Sequence, residues 1–157
     1  MKPPRVVEIA GSLVTPIGLL RVVVSNEGVT GCDLGVGERG ASHRILDWAL
    51  RELEEYFEGI RREFTVPADL SALSAFARRV YDVTRQIPFG QTRAYGDLAD
   101  VLGSSARAVG SALARLPVGI IVPAHRVTYA NGGLGGYQGR QDLKAWLLDF
   151  EAAHVGA

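Results

Sequence analysis

The sequence contains a single cysteine, Cys32, in 157 residues. One thiol excludes an internal disulfide and any cysteine-rich zinc site. Histidine is scarce too, at three. Neither His43 nor His154 has a ligand partner at metal spacing, so no metal and no cofactor is expected. Long apolar runs are absent. The longest, "GLLRVVV" and "VGIIV", fall far short of the roughly 20 residues that cross a bilayer, and no membrane association is expected. The start, "MKPPRVVEIAG", has no apolar region leading to a small-residue cleavage site, so the expectation is a cytoplasmic protein without a signal peptide. Lysine is almost missing, since Arg supplies 15 of the 17 basic side chains. Arginine makes forked contacts to phosphates, although codon usage produces the same bias.

What is present is enough apolar content, 47%, for a real core in one domain or two small ones closely packed. The net charge of zero hides a split. Residues 1–75 carry 8 Lys/Arg and 11 Asp/Glu (−3), and residues 76–157 carry 9 and 6 (+3). A basic C-terminal half is compatible with a phosphate-facing surface and is weak evidence alone.

Alternation and turn residues predict strands over 5–10, 17–24 and 28–34, with "TPIG" and "SNEG" as the turns between them. "GVGERGAS" reads as a loop. Ser42 is a candidate cap for a helix to about Phe57, with Ile45, Leu46, Ala49, Leu50, Leu53, Tyr56 and Phe57 as its apolar face and Gly59 as its stop. A boundary falls near Ala68 to Ala72, dividing an N-terminal α/β domain (1–70) from a C-terminal domain (71–157). A second helix is expected from Ser71 to about Gln86, with Leu73, Phe76, Ala77, Val80, Tyr81 and Thr84 on one side. Thr92 then caps a helix to Leu102, Gly103 turns the chain, and Ser104 or Ser105 caps a helix to about Leu116. Two short helices about a glycine turn make a helix-turn-helix. "VGIIV" reads as a short buried strand, "YANGGLGGYQG" as a wing or loop, and "QDLKAWLLDFEAAH" as a final helix with Leu143, Trp146, Leu147 and Phe150 inward.

Four features could carry chemistry. The second helix of the helix-turn-helix, "SSARAVGSALA", is built of small residues apart from Arg107. Such a helix can approach a nucleic-acid groove closely with one arginine reaching in, or it can simply pack against another helix with Arg107 solvated. His125, behind Pro123 and before Arg126, has the setting of a general base, yet Ala124 beside it is not a nucleophile. Taken alone, a core histidine with satisfied ring nitrogens explains it better. Cys32 in a strand reads as a small buried hydrophobe. "GGLGGYQG" follows no strand-to-helix phosphate-loop pattern and reads as a close backbone approach or a flexible loop.

Together, "IIVPAHRV", "GGLGGYQGR" and "LKAWLLDFE" resemble the active-site segment of the O6-alkylguanine-DNA alkyltransferases. That family has Pro-Cys-His-Arg-Val, then a glycine-rich loop with Tyr, then a helix ending Leu-Leu-x-x-Glu. "FGQTRAYGDLA" and "ARAVGSAL" are similar to its helix-turn-helix, and "LEEYFEGIRREFTVPADL" to its interdomain junction. The resemblance covers nearly the whole chain. It implies an α+β fold, with a small N-terminal β-sheet plus helix (ribonuclease H-like) and a C-terminal helical winged helix-turn-helix DNA-binding domain. It also implies roles by position. Arg107 matches the arginine that enters the minor groove and fills the gap left by a flipped nucleotide. Tyr95 matches the tyrosine that crowds the 3′ phosphate and touches the guanine, and Ser105, Ala106, Ala108 and Gly110 share its DNA-facing surface. The backbone of Ala124 and Val127 would read the guanine edge. Tyr137 and Gln138 fall in the loop over the alkyl group, Leu113 and Arg126 complete the pocket, and His125 and Glu151 match the base and its orienting carboxylate.

Two departures stand out. Ala124 occupies the position of the cysteine that accepts the alkyl group as a thiolate, and a methyl group accepts nothing. Leu116 occupies the position of an Asn that hydrogen-bonds beside that cysteine. The turn between the helices is also a couple of residues shorter than in some members. Three readings follow. The first is a natural alkyltransferase-like protein that binds O6-alkylguanine in double-stranded DNA without repairing it. It would be a monomer of bacterial or archaeal cytoplasm, nucleoid-associated when bound to DNA, and would flag the lesion to nucleotide excision repair damage-sensor proteins. The second is an active methyltransferase carrying an engineered Cys→Ala change at Ala124. Leu116 favours the first, because removing the sulfur gives no reason to remove the Asn. The third is a sequence-specific helix-turn-helix regulator. It would want several long polar side chains on its recognition helix, and the first half of this helix offers one.

Overall fold

The computed structural model describes residues 8–36 and 42–156. The architecture is α+β. The chain divides into two compact units, Met1–Leu70 and Ser71–Ala157.

The first unit is a three-stranded antiparallel meander, β1 (Ile9–Thr15), β2 (Gly18–Val24) and β3 (Val29–Leu34), with β2 central. The first strand lies later than the expected 5–10, whose residues 5–7 fall outside the described residues. Its position follows from its partner: β1 pairs residue for residue with β2, from Ile9 opposite Val24 to Thr15 opposite Gly18. Thr15 closes the turn by donating from its hydroxyl to the Gly18 carbonyl (2.6 Å). The outer edge of β3 is met at Val29, which exchanges hydrogen bonds of 2.8 Å with Pro67 and Asp69. Helix α1 (Arg44–Phe57) packs on this sheet. Its cap is His43 rather than Ser42. The His43 Nδ1 accepts from the Ile45 amide (3.1 Å), while the Ser42 hydroxyl is drawn to Asp47 (2.9 Å). Most of the expected loop 35–42 lies outside the described residues. A charged residue joins the buried face of α1: Glu52 accepts from the Thr65 and Val66 amides (2.8 Å each) and pairs with Arg61 (2.9 Å).

The second unit holds α2 (Ala75–Arg85), β4 (Arg93–Ala94), α3 (Tyr95–Leu102), α4 (Ala106–Ala114), a single 3-10 turn (Ala124–Arg126), β5 (Val127–Thr128) and α5 (Gln141–His154). Helix α2 begins at Ala75, not Ser71, because the Ser74 hydroxyl caps the Ala77 amide (3.1 Å). Helix α3 starts after Ala94 rather than at a Thr92 cap. Residues 93–94 are taken into β4, and Asp97 reaches back to the Ala94 amide (3.0 Å). Gly103, at φ 63°, ends α3 in the left-handed region that glycine adopts freely. Ser105 caps α4 through the Ala108 amide (3.1 Å), and α4 stops at Ala114, short of the expected Leu116.

Two expectations fail here. "VGIIV" is buried but is not a strand. Ile120 sits at φ 68°, the Ile121 amide bonds back to the Gly119 carbonyl (2.8 Å), and the Val122 amide to that of Val118 (3.3 Å), so the run is a tight coil. A β-branched residue in that region is strained. Its burial, with Val118, Ile121 and Val122, is what holds it there. In α5 the fully buried residues are Lys144, Leu147 and Glu151, spaced i, i+3, i+7, whereas Trp146 and Phe150 are half-buried and stack on each other at 5.1 Å.

Candidate functional site

The segment after the coil is bent tightly at Pro123, where the Ala124 amide bonds to the Val122 carbonyl (2.8 Å), an inverse γ-turn. The 3-10 turn that follows buries Ala124, His125 and Arg126 together. Strand β5 then pairs in parallel with β4, Arg93 with Val127 and Ala94 with Thr128. This ladder joins the motif to the helix-turn-helix, because Tyr95 is the next residue after β4.

Glu151 of α5 is the anchor of the turn. Its carboxylate accepts from His125 Nε2 (2.7 Å), Arg126 Nε (2.8 Å), Arg126 Nη2 (2.9 Å) and the Gly90 amide (3.1 Å). Arg126 Nη1 donates to the Ile87 carbonyl (2.7 Å). Burial would raise the Glu151 carboxyl, but the hydrogen bonds and charges of His125 and Arg126 outweigh it and hold it well below the usual carboxylate range. For His125 burial dominates and pushes the imidazole below its ordinary value, with Glu151 pulling the other way. The ring is therefore neutral near pH 7. A carboxylate can only accept, so the proton sits on Nε2 and leaves Nδ1 with a bare lone pair. That Nδ1 is buried and has no hydrogen-bond partner among the described residues. An imidazole held in this way can accept a proton at Nδ1, and its neighbour Ala124 has none to give up.

A second cluster surrounds Lys144. Its ammonium, fully buried, donates to the Val127 carbonyl (2.6 Å) and lies 3.4 Å from both the Tyr95 hydroxyl and the Gly136 carbonyl. Burial brings Lys144 down to about 8. One side chain thus ties together β5, the start of α3 and the glycine-rich loop. The loop passes so close to Tyr95 that a Cβ on Gly135, at φ 78°, would strike the Tyr95 hydroxyl. Burial, and then the neighbouring Tyr129, raise the Tyr95 phenol.

The remaining expected site residues are placed as follows. Arg107 and Ala106 are exposed on α4, and the Arg107 side chain has no hydrogen bond or ion pair among the described residues. Ala108 and Gly110 are half-buried, and Gly110 faces the Tyr95 ring. The Ser105 hydroxyl is engaged as the cap. Leu113 is buried with Val109 on the opposite face from Arg107. Arg126 spends its fork internally on Glu151 and Ile87, so it braces the turn. Tyr137 is half-buried. Gln138, at φ 51°, donates from Nε2 to the Leu116 carbonyl (3.0 Å), which links the loop to the position of the second departure. Cys32, the one thiol, is buried in β3 of the first unit and pushed up from 9.0 to about 12 by burial and Asp33.

Sequence reasoning missed Lys144. A signal existed: it is the only lysine after residue 2 in a chain that otherwise uses arginine.

The family profile described as the 6-O-methylguanine DNA methyltransferase, DNA binding domain, matches residues 75–153. A DNA base-flipping protein of Thermus thermophilus is 44% identical over 144 residues, covering 90% of this chain and 98% of that protein. The methylated-DNA–protein-cysteine methyltransferase of Mycolicibacterium paratuberculosis is 44% identical over 116 residues, 73% of this chain and 70% of its own. Among solved structures, the Mycobacterium tuberculosis O6-methylguanine methyltransferase superposes with a TM-score of 0.83 at 33% identity, covering 94% of each chain. Mycobacterium tuberculosis OGT in complex with DNA gives 0.80 at 35% identity, covering 91% of this chain and 92% of that one. The chain belongs to the 6-O-methylguanine DNA methyltransferase family.

Proposed function

We propose that this protein binds duplex DNA at O6-alkylguanine, turns the damaged nucleotide into the pocket beside Ala124, and holds it there without removing the alkyl group. The bound protein then flags the lesion for nucleotide excision repair. The carrying observation is the pairing of an intact His125–Glu151–Arg126 network with a methyl side chain at residue 124. Alkyl transfer to protein needs a thiolate. Cys32 cannot stand in, since burial disfavours its charged form.

Other observations support the DNA half of the reading. A similar protein is named for base flipping, and a similar structure is bound to DNA. The exposed face of α4 offers small residues around an unpaired Arg107, which suits close approach to a groove floor and insertion of one cation. Extruding a base costs a few kcal/mol, least for a base that pairs badly, and O6-alkylguanine pairs badly. Arg107 entering the vacated space offsets part of that cost. Minor-groove contact reads little sequence, as a lesion search requires.

The test is competition binding at fixed salt, with duplexes that differ only in one O6-methylguanine. The methylated duplex is expected to bind more tightly, and Arg107→Ala to lose several-fold of that preference. The intact protein mass after incubation is expected to be unchanged. Equal affinity for both duplexes would sink the lesion-binding reading, and a methyl adduct on the protein would sink the non-catalytic one.

A further inference from the structure

We infer that Tyr129 is a nucleobase-stacking residue, whose ring receives a base of the bound DNA strand. This rests on the DNA-binding reading above and adds a contact residue to it.

Tyr129 is 56% exposed and is the one aromatic among the exposed large apolar side chains of the described residues. It follows β5 directly, so the ladder that sets Val127 beside the start of α3 also fixes where Tyr129 emerges. Its ring lies against Tyr95, with centroids 5.2 Å apart and planes at 50°. Gly133 lies against the same ring: a Cβ there would come within 3.3 Å of Tyr129 Cδ2. The backbone is pinned from both sides. The Tyr129 amide donates to the Gly133 carbonyl (2.8 Å), and its own carbonyl accepts from the Gly132 amide (3.0 Å). The phenol hydroxyl has no hydrogen bond among the described residues.

An aromatic ring braced in this way, with more than half its surface in water, has lost most of its freedom before any partner arrives. Stacking on it therefore costs little ordering. A nucleobase suits it, because every base has a π-face and aromatic stacking is tolerant of sequence. The ring also continues the Tyr95 wall outward from the Lys144 cluster to solvent. A base moving toward Ala124 and its neighbour in the strand share the same stacking chemistry, so the test separates them.

Tyr129→Phe, Tyr129→Leu and Tyr129→Ala would be compared with the unaltered protein. The readouts are affinity for O6-methylguanine duplex and fluorescence of 2-aminopurine placed at the lesion position or at either neighbour. Tyr129→Phe should bind normally and quench the probe. Tyr129→Leu still covers Tyr95 but has no π-face, so quenching should vanish while the fold persists. Tyr129→Ala should bind roughly ten-fold more weakly, with its salt dependence unchanged because no phosphate contact is lost. The probe position that is quenched identifies the base. Quenching and affinity that survive in Tyr129→Leu and Tyr129→Ala would overturn the inference, as would a Tyr129→Phe as weak as Tyr129→Ala. If the unaltered protein prefers the lesion and only these variants fail to differ, the proposed function stands and the stacking role falls. Absence of DNA binding by the unaltered protein overturns both.

Discussion

At the scale of single residues, the site is decided at position 124. His125 has the protonation state a base needs: it is neutral, its Nε2–H is held by Glu151, and its Nδ1 carries a lone pair with no partner among the described residues. Ala124→Cys should therefore restore some alkyl acceptance. Mass spectrometry after incubation with O6-methylguanine DNA is expected to show a gain of one CH2 unit on the introduced sulfur. The transfer should be slow, because Leu116 has no side-chain donor to offer the thiolate and burial opposes forming an imidazolium. An unmodified protein that still binds the lesion would show that the His125 network no longer serves as a base. The pairing of His125 with Glu151 was legible in the sequence, since both residues could be carried over by position. The bare Nδ1 was not, because it follows from burial and tautomer, which depend on neighbours distant in the chain. Lys144 was illegible for a related reason. A lysine on an amphipathic helix is ordinarily counted as solvent-facing, and only the convergence of Val127, Tyr95 and Gly136 on its ammonium makes burial tolerable.

At the scale of elements, the glycine-rich loop is held by side chains rather than by a ladder. Gln138 reaches the Leu116 carbonyl and Gln141 reaches the Gly135 carbonyl (2.9 Å). Gln138 adopts a left-handed backbone that a non-glycine residue avoids unless something compensates. Gln138→Ala keeps the strain and removes the latch. It should cost about 1 kcal/mol locally and speed amide exchange at Gly133 and Arg140, with little change at α2 or α4. Exchange that is unchanged in the loop would show that Gln138 does not fasten it. Elements were legible where local chemistry fixes them. Gly59 and Gly103 stop helices at left-handed positions, and α5 runs from Gln141 to His154 as its pattern predicted. They were illegible where tertiary partners decide. "VGIIV" has the composition of a strand, and although Pro117, Gly119 and Pro123 are breakers beside it, none of them marks Ile120 as the residue that turns the chain. In the same way, the apolar pattern of α5 pointed Trp146 and Phe150 inward, but the ion network of the neighbouring 3-10 turn draws Glu151 in instead.

At the scale of the whole molecule, the two units should respond differently to pH. In the second unit, Glu151 lies below its ordinary 4.5 and His125 below its ordinary 6.5. Their contributions are present above those values and are lost as pH falls. Lys144 falls from 10.5 to about 8, so its contribution is complete above 10.5 and is lost as pH falls toward 8. All three make this unit more stable as pH rises, until Tyr81 and Tyr95, raised above their ordinary 10.0, begin to oppose the trend. In the first unit, Glu52 lies below 4.5 and Cys32 rises from 9.0 to about 12. Its stability should fall below the first value, fall again above 9.0, and be level between them. Each unit carries one tryptophan, Trp48 or Trp146, so the two can be followed separately. In Trp48→Phe the remaining fluorescence reports the second unit, and its melting temperature should climb as pH rises toward 6.5 and again above about 8, until the tyrosines oppose it near 10. In Trp146→Phe it reports the first unit and should stay level over most of that range. A second-unit transition that does not move with pH would mean that His125 and Lys144 are not held in the buried states described, and the proposed lesion pocket would have to be redrawn.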